Sequence, residues 1–179
     1  RNGFLWAYLG EPGEVVFDFT ASRSRAGPQS FFGDYRGYIQ ADAYAGYDIL
    51  FRQPDRIEVG CWAHARRRFH NALESEPEHA KYEIAAIRMM YDVDRQAREV
   101  GMEPDLRREL NLQRSRPKLE DFKPWLESIR GHVLPKSPMG KAIAYTLRQW
   151  EALTRFLDDG RLSLDNNRCE RAIRQVAIG

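Results

Sequence analysis

Two carboxylates stand in settings that suit metal-assisted phosphate chemistry: Asp42, in "GYIQADAYAGYDIL", and Glu170, in "LSLDNNRCERAIRQ". Clustered carboxylates that hold paired divalent ions about 3.5–4 Å apart are the usual means of phosphodiester cleavage and strand transfer. Mg²⁺ takes one or two protein carboxylates and fills its remaining positions with water and substrate phosphate. Such a site needs few ligands but strict placement, and a strand end and a packed helix can supply it. Asp165 is placed to accept backbone N–H bonds at the start of the Glu170 helix, where the helix dipole favours an anion. Arg168, Arg171 and Arg174 recur every three residues and make a basic ridge beside Glu170. Each carboxylate also has a plain reading. Asp42 alone is a turn former at a strand end, and Glu170 alone is a salt-bridging residue on a solvated helix.

Cys61 and His64 form a C-x-x-H pair. A structural zinc site needs about four ligands, and the sequence offers no second pair nearby. Cys61 reads as a small buried apolar residue. Arg66, Arg67 and Arg68 follow at once, either as a solvated helix face or, like Arg168, Arg171 and Arg174, as contacts to nucleic-acid phosphates. The net charge is only +2, so any such contact must come from local patches.

The elements that must position these groups divide into two styles. "FLWAYLG" and "EVVFDFT" alternate and are joined by Glu11, Pro12 and Gly13, which predicts a hairpin. A short helix is expected near Pro28, a third strand over Gly37 to Ala41 that leads to Asp42, and a fourth over Ile57 to Cys61. From Ala63 to Asp159 helical periodicity takes over. One segment places Ile84, Ile87, Met90, Tyr91 and Val93 together. Another centres on Leu106, Leu110 and Leu112. A long one carries Ile143, Leu147, Trp150, Leu153 and Phe156 and ends at Gly160. Trp6, Trp125 and Trp150 are expected in the core. The arginine-studded helix closes the chain from Asn166.

A chain of 179 residues with 42% hydrophobic and 30% charged residues can bury a core. Two cysteines do not make a disulfide framework, which points to a reducing cytoplasm. No apolar run is long enough to span a membrane and no signal peptide is evident, so no membrane association is expected. The abrupt first strand and last helix suggest a piece of a longer protein.

"VFDFTASRS", "GYIQADAYAGYDIL", "EVGCWAHARRRF" and "KAIAYTLRQWEALTRFLDDGRLSLDNNRCERAIR" resemble the catalytic domain of bacterial transposases of the insertion sequence 66 family, over nearly the whole chain. The resemblance implies an α/β fold with an RNase H-like core and a mixed sheet, interrupted by a large all-helical insertion. Residues 1–75 would be the first part of the core, 76–159 the insertion, and 160–179 the returning catalytic helix. It implies a DDE transposase that hydrolyses a phosphodiester at the transposon end and joins the freed 3′-OH to target DNA. Its two-metal site would hold Mg²⁺ or Mn²⁺, and its active complex would be a homo-oligomer on transposon-end and target DNA. Asp42 and Glu170 fall on the second and third acidic positions, and His64 lies near the site in this scheme. The first Asp belongs to a strand ahead of "GFLWAY", N-terminal to Arg1. Asp18 lies on the strand after, and is not assigned that role. Two other readings remain: a metal-dependent nuclease of the same fold, and a non-catalytic fragment that binds DNA or another subunit.

Overall fold

The computed structural model describes residues 3–10 and 13–178, with 177 and 178 described by backbone alone. Glu11 and Pro12, in the turn of the expected hairpin, lie outside the described residues. The chain forms two compact units. One runs to Glu58 and resumes at Asp165; the other is Val59–Leu164.

In the first unit, β1 (Phe4–Leu9) and β2 (Val15–Thr20) pair antiparallel, from Phe4 opposite Thr20 to Leu9 opposite Val15. The pleat puts Phe4, Trp6 and Tyr8 on one face with Val16, Asp18 and Thr20. Trp6 is buried there, and its indole N–H donates to the Thr20 hydroxyl at 2.7 Å. Helix α1 (Ala26–Phe32) ends under the buried Arg56. The Arg56 guanidinium donates to the carbonyls of Phe32, Gly33 and, at 2.9 Å, Tyr35. These are groups that a helix end leaves without intrahelical partners. Strand β3 (Gly37–Gln40) pairs with β4 (Arg56–Val59) in a second two-stranded sheet. Short 3₁₀ turns at Ala45–Tyr47 and Leu50–Arg52 link the two strands. Helix α8 (Asn167–Ile178) packs on β1, where the Cys169 thiol donates to the Ala7 carbonyl at 3.2 Å.

The second unit is helical throughout its described elements: α2 (Trp62–His70), α3 (Pro77–Glu99), α4 (Pro104–Arg114), α5 (Arg116–Arg130), α6 (Pro138–Arg148) and α7 (Trp150–Thr154). Proline opens α3, α4, α5 and α6 within their first two positions, where its missing N–H has no intrahelical partner to lose. Ser137 caps α6 by accepting the Gly140 N–H at 3.0 Å. Trp62, Phe69 and Phe122 build the core and the half-buried Trp150 flanks them, with ring centroids 6.2–6.4 Å apart; Trp125, also expected in the core, is half-buried too. The Trp62 indole donates to the Leu153 carbonyl at 2.8 Å. No helix among the described residues is long and apolar enough to cross a membrane.

Three expectations need correction. The long helix that was to end at Gly160 is broken at Gln149 into α6 and α7, and a 3₁₀ turn over Arg155–Leu157 follows. Gly160 serves a different end: a Cβ there would stand 1.8 Å from the Pro104 carbonyl oxygen, so only glycine admits the start of α4. On α4 the expected leucine seam is not the buried face. Leu106 is 56% exposed, while Asn111 and Ser115 are buried and hydrogen-bonded to each other at 3.1 Å. Arg107, beside Leu106, reaches the buried Asp94 of α3 at 2.5 Å, and Arg98 meets the same carboxylate at 2.8 Å. The polar partners on α3 and within the turn between α4 and α5 select this face over the leucines. Finally, the closing helix starts at Asn167, one residue after the expected start.

Candidate active site

The first unit brings the segment of Asp42 and that of Glu170 into one compact body. Asp42 follows β3 and is half-buried. Its Oδ1 accepts the Tyr44 N–H at 3.1 Å, so the chain folds back on its own carboxylate. Ala43, between them, has φ 57°, the left-handed region. For a residue with a Cβ this conformation costs about 1–2 kcal/mol, and the surrounding structure must enforce it. Tyr44 and Tyr47 then meet edge to face at 5.5 Å, and Tyr47 meets Trp6 of β1 at 6.1 Å. The aromatic side chains of the Asp42 turn are thereby locked onto the hairpin.

Glu170 lies in the first turn of α8. Asp165 organises that turn: its Oδ1 accepts the Asn167 N–H at 3.1 Å and its Oδ2 the Asn167 side-chain amide at 2.7 Å. The Glu170 N–H donates to the Asn166 carbonyl at 3.1 Å. Glu170 is half-buried, whereas Arg168, Arg171 and Arg174 are all exposed. The ridge of arginines thus faces solvent while the carboxylate between them is turned further in. Cys169, docked on β1, has its thiol pushed up by burial and by the neighbouring Glu170 charge.

Tyrosines surround the Asp42 turn, and sequence reasoning did not single them out. Burial raises the Tyr47 phenol above its ordinary range, and the Asp42 charge adds to this, as do Tyr8 and Cys169; Arg23 opposes them. Tyr8 is pushed up to about 12 by burial and by Asp18. Both phenols therefore keep their protons near neutral pH and present O–H donors among carboxylates. The Tyr8 hydroxyl is buried with no hydrogen-bond partner among the described residues. An unmet buried donor of this kind costs about 1–3 kcal/mol, and an acceptor oxygen placed there would relieve it. The signal for Tyr44 and Tyr47 was present in "AYAGY", immediately after Asp42. Nothing in the hairpin sequence marks Tyr8 out from its aromatic neighbours.

The other expected site residues belong to the helical unit. His64 is half-buried on α2, and its Nδ1 lies 3.2 Å from the Sγ of the fully buried Cys61. Arg66, Arg67 and Arg68 are exposed on the same helix, and the Arg68 guanidinium stacks 4.1 Å from the Tyr145 ring centroid. Asp42 and Glu170 offer hard oxygen donors of the kind Mg²⁺ and Mn²⁺ prefer. Among the described residues no group of three or more His, Cys, Asp or Glu side chains gathers to hold a metal ion. The donor chemistry fits a divalent ion of this class, and the pair is short of a full two-ion centre.

Comparison with known proteins bears on what this unit is. Three proteins of Sinorhizobium fredii (strain NBRC 101917 / NGR234) are similar to the chain. Uncharacterized protein y4jD is 31% identical over 175 residues, covering 93% of this chain and 34% of its own length. Uncharacterized protein y4qI is 30% identical over 193 residues, covering 99% of this chain and 35% of its own. Uncharacterized protein y4hP is 26% identical over 203 residues, covering 99% and 36%. The chain thus spans about a third of the length of the curated relatives it matches. No solved structure matches it. A family model described as "Transposase IS66 family" matches residues 1–179. By that match over its whole length, the chain belongs to the IS66 family of transposases.

Proposed function

We propose that the chain is part of a DNA transposase in which Asp42 and Glu170 bind a divalent metal ion at the scissile phosphodiester. The observation that supports this best is the construction around Asp42: a strained left-handed residue, a backbone bond to the carboxylate and the edge-to-face contacts of Tyr44, Tyr47 and Trp6. Strain of this kind concentrates where a side chain must be held in one geometry. Mg²⁺ or Mn²⁺, when bound, would stabilise the attacking and leaving oxygens of an in-line displacement. The chain's own residues would hold and orient. Asp42 is fixed by the Tyr44 N–H, and Glu170 by the capped first turn of α8. The Tyr8 and Tyr47 phenols would donate to oxygens in the site. Arg66, Arg67, Arg68, Arg168, Arg171 and Arg174 would meet DNA phosphates, and His64 would lie near the reacting centre. The substrate would be transposon-end and target DNA, and the active complex a homo-oligomer.

In the same reading the fold is an RNase H-like core with a helical insertion. The two strand pairs, β1–β2 and β3–β4, would be parts of one mixed sheet. The absence of a three-ligand cluster among the described residues favours a second reading for these residues taken alone: a DNA- or subunit-binding piece without cleavage activity.

Glu170→Gln separates the two. If Glu170 is a metal ligand, the variant melts at the parent's temperature or slightly above it in EDTA. It also loses most of the stabilisation that Mn²⁺ gives the parent, because binding to the native state is what stabilises it. A variant that is markedly less stable in EDTA and responds to Mn²⁺ like the parent makes Glu170 structural and sinks the metal assignment.

A further inference from the structure

Arg23 lies in the segment between β2 and α1, and its side chain is exposed. Its guanidinium carbon sits 4.2 Å from the centroid of the Tyr44 ring. The Tyr44 hydroxyl in turn donates to the backbone carbonyl of Arg23 at 3.1 Å. One tyrosine therefore holds both the main chain and the side chain of this arginine. The same tyrosine gives its backbone N–H to Asp42. Arg23 and Asp42 are in this way fixed to a common residue.

Several other arginines are held by ion pairs instead. Arg36 is matched to Asp55 at 3.3 Å, Arg95 to Asp92 at 2.8 Å, and Arg155 to Glu151. Arg23 makes no ion pair among the described residues. Stacking on a ring face restrains a guanidinium without neutralising it, and it leaves the N–H donors along the edge of the plane available. A planar fork of donors with its charge intact suits the bidentate recognition of phosphate. Arg68 is also stacked, on Tyr145, in the helical unit, whereas Tyr44 gives its backbone N–H to Asp42. The Asp42 turn adds rigidity, since Ala43 is held in the left-handed region between Asp42 and Tyr44.

We infer that Arg23 is a phosphate-binding residue that seats a backbone phosphate of the DNA strand beside Asp42, presented by its clasp with Tyr44. The inference rests on the reading of Asp42 as part of the reacting centre, and it adds a substrate-positioning residue outside both arginine clusters. Arg23 would act by placing the strand; it takes no proton and forms no bond.

The test is fluorescence anisotropy of the 179-residue chain with a fluorescein-labelled 20-base-pair duplex, titrated in EDTA at several salt concentrations. Each phosphate contact contributes about 0.9 to the slope of log affinity against log salt. Arg23→Ala is expected to weaken binding about fivefold and to lower that slope by about 1. Arg23→Lys should keep part of the affinity, having the charge but not the stacked fork. Tyr44→Leu should lose about as much as Arg23→Ala, and the double variant no more than either. Arg25→Ala, at an exposed position two residues on, should fall short of the Arg23→Ala effect. Parent affinity and slope in Arg23→Ala overturn the inference, as do equal losses at Arg23 and Arg25, additive losses at Arg23 and Tyr44, or a parent chain with no affinity for the duplex. Because these titrations contain no metal, they fail or succeed independently of the Mn²⁺ response of Glu170→Gln. A Glu170→Gln variant that responds to Mn²⁺ like the parent, with the Arg23 effect intact, removes the metal reading and leaves the phosphate contact standing.

Discussion

The two units handle apolar surface differently. In the helical unit, Trp62, Phe69, Ile87, Leu126, Met139 and Ile143 are almost fully buried. In the unit that carries Asp42 and Glu170, the buried apolar side chains among the described residues are Trp6, Pro28, Ile39, Ala41 and Leu50. There Phe4, Leu5, Phe17, Phe31 and Tyr35 remain exposed, and Phe19 is 69% exposed. Burying a large apolar side chain contributes about 1.5–3 kcal/mol, so the helical unit is the better stabilised of the two by its own contacts. The lesson is a division of labour within one chain. Packing is concentrated in the unit that carries neither Asp42 nor Glu170, and the segments of those two carboxylates are held by turns, ring contacts and a helix cap.

The strongest way to break this comparison is to remove the centre of the helical core. Trp62→Ala deletes a ring in contact with Phe122 and Trp150 and strands the Leu153 carbonyl. Urea denaturation should show a loss of about 3–5 kcal/mol. A loss below about 1 kcal/mol would mean that the helical unit is not the stabilising one.

Next in size is a pH effect in the same unit. Glu83 is fully buried on α3; its Oε1 accepts the Trp125 indole N–H at 3.1 Å and its Oε2 has no hydrogen-bond partner among the described residues. Burial, helped by the Glu76 charge, pushes its carboxyl up to about 7, even though the Trp125 bond and a backbone bond pull it down. The folded-state value lies above the unfolded one. Its contribution is therefore fully present below the ordinary carboxylate range near 4.5 and is lost as the pH rises through about 7. The urea stability of the parent relative to Glu83→Gln should fall by about 2–3 kcal/mol between pH 4.5 and pH 8. A difference that stays constant with pH would show that the buried carboxyl is not what titrates.

Two smaller substitutions sharpen the picture of the first unit. Asp165→Ala removes the acceptor for the Asn167 N–H and amide, and should cost about 1 kcal/mol, seen as faster hydrogen exchange at the start of α8. Unchanged exchange there would mean that the cap does not hold Glu170's turn. Phe19→Ala, on the exposed side of the hairpin, should change stability by no more than about 0.5 kcal/mol. A large loss would reveal that the hairpin is packed against something in solution.

What could be read in the sequence follows from the range of the interactions that decide it. The β1–β2 hairpin was legible because alternation is a local property, and so was the helical character of the stretch from Ala63 to Asp159. The buried face of α4 was not, because Asp94 on α3 selects Arg107 from a different helix. The burial of Glu83 was hidden for the same reason: its partner, Trp125, sits on α5. At the candidate site, Asp42, Glu170 and the capping role of Asp165 could be read from short motifs. The left-handed Ala43 and the Tyr8–Tyr47 neighbourhood could not, since one depends on a backbone angle and the other on the meeting of a strand with a distant turn.

The left-handed Ala43 has a consequence for anyone engineering this chain. Glycine at that position would relieve about 1–2 kcal/mol of steric conflict while adding about 0.5–1 kcal/mol of unfolded-chain entropy. The steric term is the larger of the two, so a screen that ranks variants by heat resistance would score Ala43→Gly as neutral to slightly favourable. The difference would show in motion. The methyl group narrows the angles open to the peptide after Asp42, and glycine would widen them, letting the carboxylate wander on the nanosecond scale that NMR order parameters record. Ala43 is a site where thermostability and positional precision pull apart, since the substitution that eases the backbone also loosens the carboxylate.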